Sequence, residues 1–178
     1  MNKNIYSNYL IKYLVISVIF FIVTFLIIYF NTPKSLLRDR LSENTAKAIV
    51  LSCIDFRFVN DEIYFLNKDR KNNFNLFSLA GASLGYNQNT FPEWGVTFDK
   101  HVDLSKQLHD IDEIIVIDHM DCGAYRILYH NDEMTKEEEY ELHTKNLNKF
   151  KTIASKKFPS LKISTYLTQL DGSVKEIQ

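Results

Sequence analysis

The chain has 178 residues, with 21 Lys and Arg against 22 Asp and Glu and a formal net charge of −1. No basic excess points to nucleic acid, and two cysteines allow one disulfide at most. Past an apolar N-terminal segment, what remains is the length of one domain.

Residues 1–12 are a short tail. Residues 13–30, YLVISVIFFIVTFLIIYF, are an uncharged run. As a helix this run spans roughly 27 Å, close to the hydrocarbon thickness of a bilayer. A signal peptide has an apolar core of about 7–15 residues and ends in a small-residue cleavage site. Here the run is longer, and Asn31-Thr32-Pro33-Lys34 follows with no Ala-x-Ala pattern. A buried core helix would show a polar face. The run therefore reads as a retained single-pass transmembrane anchor, with a cleaved signal peptide as its rival. Lys3 and Lys12 precede it, and Lys34, Arg38 and Arg40 follow, which leaves the side of the membrane undetermined.

Residues 31–45 read as a linker or short helix, with Leu36, Leu37 and Leu41 as apolar positions. Residues 46–178 form the soluble domain. The run 47–53, KAIVLSC, predicts a buried parallel strand ending at Cys53. Phe58, Val59, Ile63 and Leu66 have helical spacing, and the polar stretch 67–73 predicts a loop. A second strand is expected over 74–79, ending at Ala80-Gly81-Ala82-Ser83, with a loop over 87–92. Trp94, Phe98, Val102 and Leu108 suit one face of a helix over 93–110, with Leu104 nearby. The clearest strand, 112–118, stops at His119. Residues 136–156 predict a long helix bearing Leu142, Leu147, Phe150 and Ile153; its charged start, 136–141, reads as a solvated face. A strand over 161–167 is followed by an Asp171-Gly172 hairpin turn and a return over 174–177. This alternation implies an α/β fold, a mainly parallel sheet flanked by helices.

In such sheets functional groups gather past the carboxyl ends of the strands. Cys53, Asp55 and Arg57 stand as Cys-Ile-Asp-Phe-Arg after the first strand; His119 and Cys122 stand as His-Met-Asp-Cys-Gly after the third. Two thiols and one imidazole are a soft ligand set of the kind zinc prefers when one position is left open. A structural zinc site needs a fourth protein ligand, and no third cysteine exists. A disulfide between the two thiols is the competing reading. Asp55 and Arg57 also read as a structural ion pair at a helix start. Asp121 receives no role. His101, His109, His130 and His143 lack ligand spacing with the cysteines and read as surface or partly buried. Gly81 and Gly123 read as tight turns.

In order, spacing and placement these motifs resemble the β-class carbonic anhydrases, which look like Cys-x-Asp-x-Arg after the first strand and His-x-x-Cys-Gly after the third. Ala124 also fits, and the resemblance covers about residues 46–177. It implies one zinc per chain on Cys53, His119 and Cys122, with Asp55 and Arg57 as the adjacent dyad. It implies a carbonate dehydratase, reversibly hydrating carbon dioxide to bicarbonate by zinc-bound hydroxide. In the family the Asp either hydrogen-bonds the zinc-bound water or closes the fourth position, and the Arg holds it away. The family's habit of dimerising implies a homodimer. Two alternatives use the same residues. One is hydrolysis of carbonyl sulfide or carbon disulfide; the other is a non-catalytic zinc-binding, membrane-proximal interaction module. Ser78-Leu79 stands where the family has Arg-Asn, and Phe56 where Ser is common.

Overall fold

Two aliphatic runs sit at the centre of the sheet. β1 (Ala48–Ser52) and β3 (Glu113–His119) are buried along their whole length, as strands covered on both faces must be. In this computed structural model the described residues are 3–31, 45–70 and 73–178. They fall in two compact units, Met1–Glu43 and Asn44–Gln178.

In the second unit β1 pairs in parallel with β2 (Phe74–Ser78) on one side and with β3 on the other. β3 pairs in parallel with β4 (Lys162–Thr168), and β5 (Val174–Glu176) closes the sheet antiparallel to β4. The order is β2-β1-β3-β4-β5, the mainly parallel α/β sheet that the alternating pattern implies. Successive strand residues point to opposite faces. Ile49, Leu51, Ile114 and Val116 meet Phe98 and Val102 of α4 (Glu93–His109), and Leu147, Phe150 and Ala154 of α6 (Lys136–Lys157). Ala48, Val50, Ile115 and Ile117 cluster on the other side with Leu66 of α2 (Val59–Arg70). Each large aliphatic residue so buried contributes about 1.5–3 kcal/mol.

Several boundaries differ from the sequence expectation. α2 runs on through Arg70, into the stretch expected as a loop. Two short helices, α3 (Ser83–Asn87) and α5 (Gly123–Tyr129), occupy stretches without readable periodicity. On α4 the buried positions are Phe98, Asp99, Val102 and Ser105. Leu104 and Leu108, expected near that face, are 50% and 58% exposed. The start of α6 is not wholly solvated either, since Glu139 is buried. A capping box begins this helix: Thr135 accepts from the Glu138 amide, and the Glu138 carboxylate accepts from the Thr135 amide.

The first unit contains α1 (Lys3–Asn31). Its stretch Lys12–Phe30 is long and apolar enough to cross a membrane, with mean hydropathy 2.8. The hydroxyl of Thr24 donates to the Phe20 carbonyl at 2.8 Å, which satisfies that hydroxyl within the helix itself. The linker or helix expected over 31–45 lies almost wholly outside the described residues.

Candidate metal centre

β1 and β3 are adjacent and parallel, so their carboxyl ends deliver side chains to one place. Cys53 follows β1; His119 ends β3, and Cys122 caps α5. The ligand atoms of Cys53, His119 and Cys122 all lie within 4.8 Å of one another. Both cysteines are free and buried. Their sulfurs are 4.0 Å apart, against roughly 3.8 Å for two thiolates on one tetrahedral zinc at Zn–S of about 2.3 Å.

The imidazole of His119 is oriented for the same task. Its Nδ1 lies 2.9 Å from the Met120 carbonyl, to which it donates as N–H. That tautomer leaves Nε2 with its lone pair free. Nε2 is buried and has no hydrogen-bond partner among the described residues. The Phe58 ring stacks on the imidazole at 4.5 Å, which limits its rotation. A buried, orphaned acceptor facing two thiols is a donor set that suits zinc.

The surroundings favour ionisation of one sulfur, that of Cys53. The Cys122 thiol hydrogen-bonded to Cys53 lowers the pKa of Cys53, as do His119 and the Gly81 amide, against the opposing effect of burial. Gly81 donates its N–H to Cys53 Sγ at 3.3 Å and has φ +75°, so a side chain here would strain the backbone. The other expected turn glycine, Gly123, faces open space and has no such need. The Cys122 thiol is pushed up by its hydrogen bond to Cys53, by burial and by its neighbour's charge.

Asp55 and Arg57 form a bidentate pair. Arg57 donates from Nε to Asp55 Oδ1 at 3.0 Å and from Nη2 to Oδ2 at 2.7 Å. These bonds hold the Asp55 carboxyl well below the usual carboxylate range. Asp55 Oδ2 lies 3.9 Å from His119 Nε2, at the edge of the three-ligand cluster. Asp121, given no role from sequence, is the second anchor of Arg57. Its Oδ2 accepts from Arg57 Nη1 at 2.8 Å, and its carbonyl accepts from Nη2 at 3.0 Å. Arg126 Nη2 donates to its other oxygen.

Sequence reading also missed a buried polar group behind the ligands. Asp118, Ser83, Tyr125, Glu139 and His143 are all buried. His143 is fully enclosed rather than at the surface. The available signals were an acid at the end of an aliphatic strand, and Glu139 and His143 one turn apart on a helix. Glu62 of α2 is 6% exposed and lines a cavity of about 240 Å³ with Cys53, Ile54, Val59, Leu76 and Ser78. Burial pushes its carboxyl up to about 8. Leu79 packs against the apolar core.

No family model matches the chain. Among solved structures it resembles a β-carbonic anhydrase of Sordaria macrospora, one of two described as tetrameric, at 11% identity and TM-score 0.55 over 98% of both chains. It also resembles the β-carbonic anhydrase of Aspergillus fumigatus, at 10% identity and TM-score 0.53 over 97% of this chain and 90% of that one. These likenesses identify the fold. By sequence the chain is 38% identical over 136 residues to an uncharacterized protein of Rickettsia conorii, covering 75% of this chain and 73% of that one. It is likewise 38% identical to one of Rickettsia bellii, covering 83% of that protein. On the strength of that identity and coverage the chain belongs to the family of these two rickettsial proteins, and it carries the β-carbonic anhydrase fold.

Proposed function

We propose that this chain is a zinc-dependent carbonate dehydratase, reversibly hydrating carbon dioxide to bicarbonate, and that α1 anchors it in a membrane. One observation carries the reading: the ligand atoms of Cys53, His119 and Cys122 converge within 4.8 Å at the carboxyl edge of a parallel sheet. Cys53 and Cys122 would hold the metal as thiolates and His119 through Nε2, with one ion per chain. Zinc held by three protein ligands supplies Lewis acidity that makes hydroxide available near neutral pH.

The chain's own residues supply the rest. Asp55 stays ionised because Arg57 pairs with it, so it can accept a hydrogen bond from water entering the site and fix its orientation. Arg57 draws that carboxylate toward itself and away from the ligands, and Asp121 in turn holds Arg57. Ile54, Val59, Ile63 and Leu76 give the cavity beside Cys53 an apolar wall, which suits a small apolar substrate such as carbon dioxide.

Assembly as a homodimer is part of the proposal. β2 is a sheet edge; its Leu76 is 57% exposed, and Ile54 and Phe56, which follow β1, are 67% and 85% exposed. Apolar side chains beside an open sheet edge suit a partner, and the similar Sordaria macrospora enzyme is described as tetrameric. The non-catalytic alternative draws on Leu79, which faces the core where the family has a polar residue.

The test uses the full chain in detergent. The expected result is about one zinc per chain, carbon dioxide hydration in stopped flow, and loss of both in Cys53→Ser and Cys122→Ser. Unchanged zinc content in both variants would sink the ligand assignment. Zinc binding without hydration would favour the interaction module.

A further inference from the structure

The turn 119–122 carries two of the three proposed ligands, and Asp121 within it has a left-handed backbone, φ +61°. So short a turn does not hold two side chains in register by itself. It is gripped from behind at both ends. On the upstream side Asp118 directly precedes His119. Its Oδ1 accepts from the Ser83 amide at 2.9 Å. Its Oδ2 accepts from the Ser83 hydroxyl at 2.6 Å, the Tyr125 hydroxyl at 2.7 Å and His143 Nδ1 at 2.9 Å. On the downstream side the Cys122 amide donates to Glu139 Oε1 at 2.8 Å.

Glu139 and His143 lie one turn apart on the same face of α6, with His143 Nε2 3.7 Å from Glu139 Oε1. The side chains of Asp118 and His143 are 0% exposed and that of Glu139 is 6%. Ionisable groups buried this deeply are costly, and apolar residues of similar volume often serve stability at least as well. The network fits a positioning role better than a packing role.

We propose that Glu139 and His143 are positioning residues that clip the turn 119–122 from behind, presetting the angle between His119 and Cys122 for a metal ion. Glu139 fixes the backbone of Cys122, and His143 fixes Asp118 and thereby the strand end that presents His119. The role rests on the zinc reading above, but the clip also has a metal-free signature.

Zinc affinity is measured on the full chain in detergent by competition with a chromophoric chelator, beside the absorption spectrum of the cobalt-substituted protein. Glu139→Ala is expected to weaken zinc binding about 10–100-fold, the range typical of groups that orient ligands. It should also shift the thiolate-to-cobalt bands. Glu139→Gln keeps an acceptor oxygen and should retain both. Glu139→Asp keeps the charge, withdraws the oxygen and should behave like Glu139→Ala; it serves if the alanine variant does not fold. His143→Ala should weaken binding in the same direction. A merely structural role would lower the melting temperature of the metal-free protein and leave affinity and spectrum unchanged, which would overturn the proposal. In the metal-free protein the Cys122 amide should exchange hydrogen faster in Glu139→Asp than in the parent, and equal exchange would also overturn the clip. A parent chain that binds no zinc, with the exchange difference intact, would instead overturn the zinc reading.

Discussion

Arg57 reaches two carboxylates, Asp55 through Nε and Nη2 and Asp121 through Nη1. In the proposed mechanism Asp121 is thus part of the device that keeps Asp55 back from the ligands. Replacing it with Ala is expected to reduce hydration about tenfold, the scale of one charge-assisted hydrogen bond, with zinc content unchanged. Arg57→Ala should cost more, and Asp55→Ala with Arg57→Ala no more than Arg57→Ala alone, since the freed carboxylate is then absent. Stopped-flow assays on these variants check the set; strictly additive losses would separate the two residues. Glu62 makes a different prediction. Its carboxyl is raised from 4.5 to about 8 by burial, so the folded state binds an extra proton between those values. Through Glu62 alone, the metal-free protein should lose stability as pH rises from 4.5 through 8, by at most about 5 kcal/mol at 1.36 kcal/mol per unit, against the opposite contribution of the lowered Cys53 thiol. Glu62→Gln should remove that contribution, read as the difference from the parent in urea titrations at a series of pH values.

The elements most exposed to test are β3 and α6. Ile115 is fully buried against Val50, Ile117 and Leu66. Ile115→Ala should cost about 2–5 kcal/mol by chemical denaturation, because a close-packed sheet face cannot collapse into the space left. Thr135 caps α6 through the Glu138 amide, and Thr135→Ala should cost about 1 kcal/mol. The strands and long helices were legible because period two and period 3.6 need only a few residues to show. α3 and α5 were not, since helices of 5 and 7 residues complete too few turns to display a face. Leu104 and Leu108 misled because they leave the buried Phe98–Val102 stripe: at 3.6 residues per turn they stand about 160° and 120° round the helix from Val102.

At the scale of the whole molecule the chain divides into Met1–Glu43 and Asn44–Gln178. The sheet, both helical layers and every proposed ligand lie in the second unit. A fragment of residues 44–178 is therefore expected to unfold cooperatively and to bind zinc like the full chain. The full chain should stay in the membrane pellet after an alkaline carbonate wash, and the fragment should not. Fractionation followed by metal analysis reads both outcomes, and a fragment that aggregates or loses zinc would make the first unit part of the fold.

By itself the sequence determined the α/β class and the order of strands along the chain, and it singled out Cys53, Asp55, Arg57, His119 and Cys122 as the candidate site. It could do so because apolar runs and ligand chemistry are local properties, and because parallel strands end on a common edge. Only the tertiary structure decided what stands behind that edge. Asp121 on Arg57, Glu139 on the Cys122 amide and His143 on Asp118 join residues 64, 17 and 25 positions apart. Such contacts arise from the packing of α6 and the turns against the sheet, and no spacing in the chain encodes them.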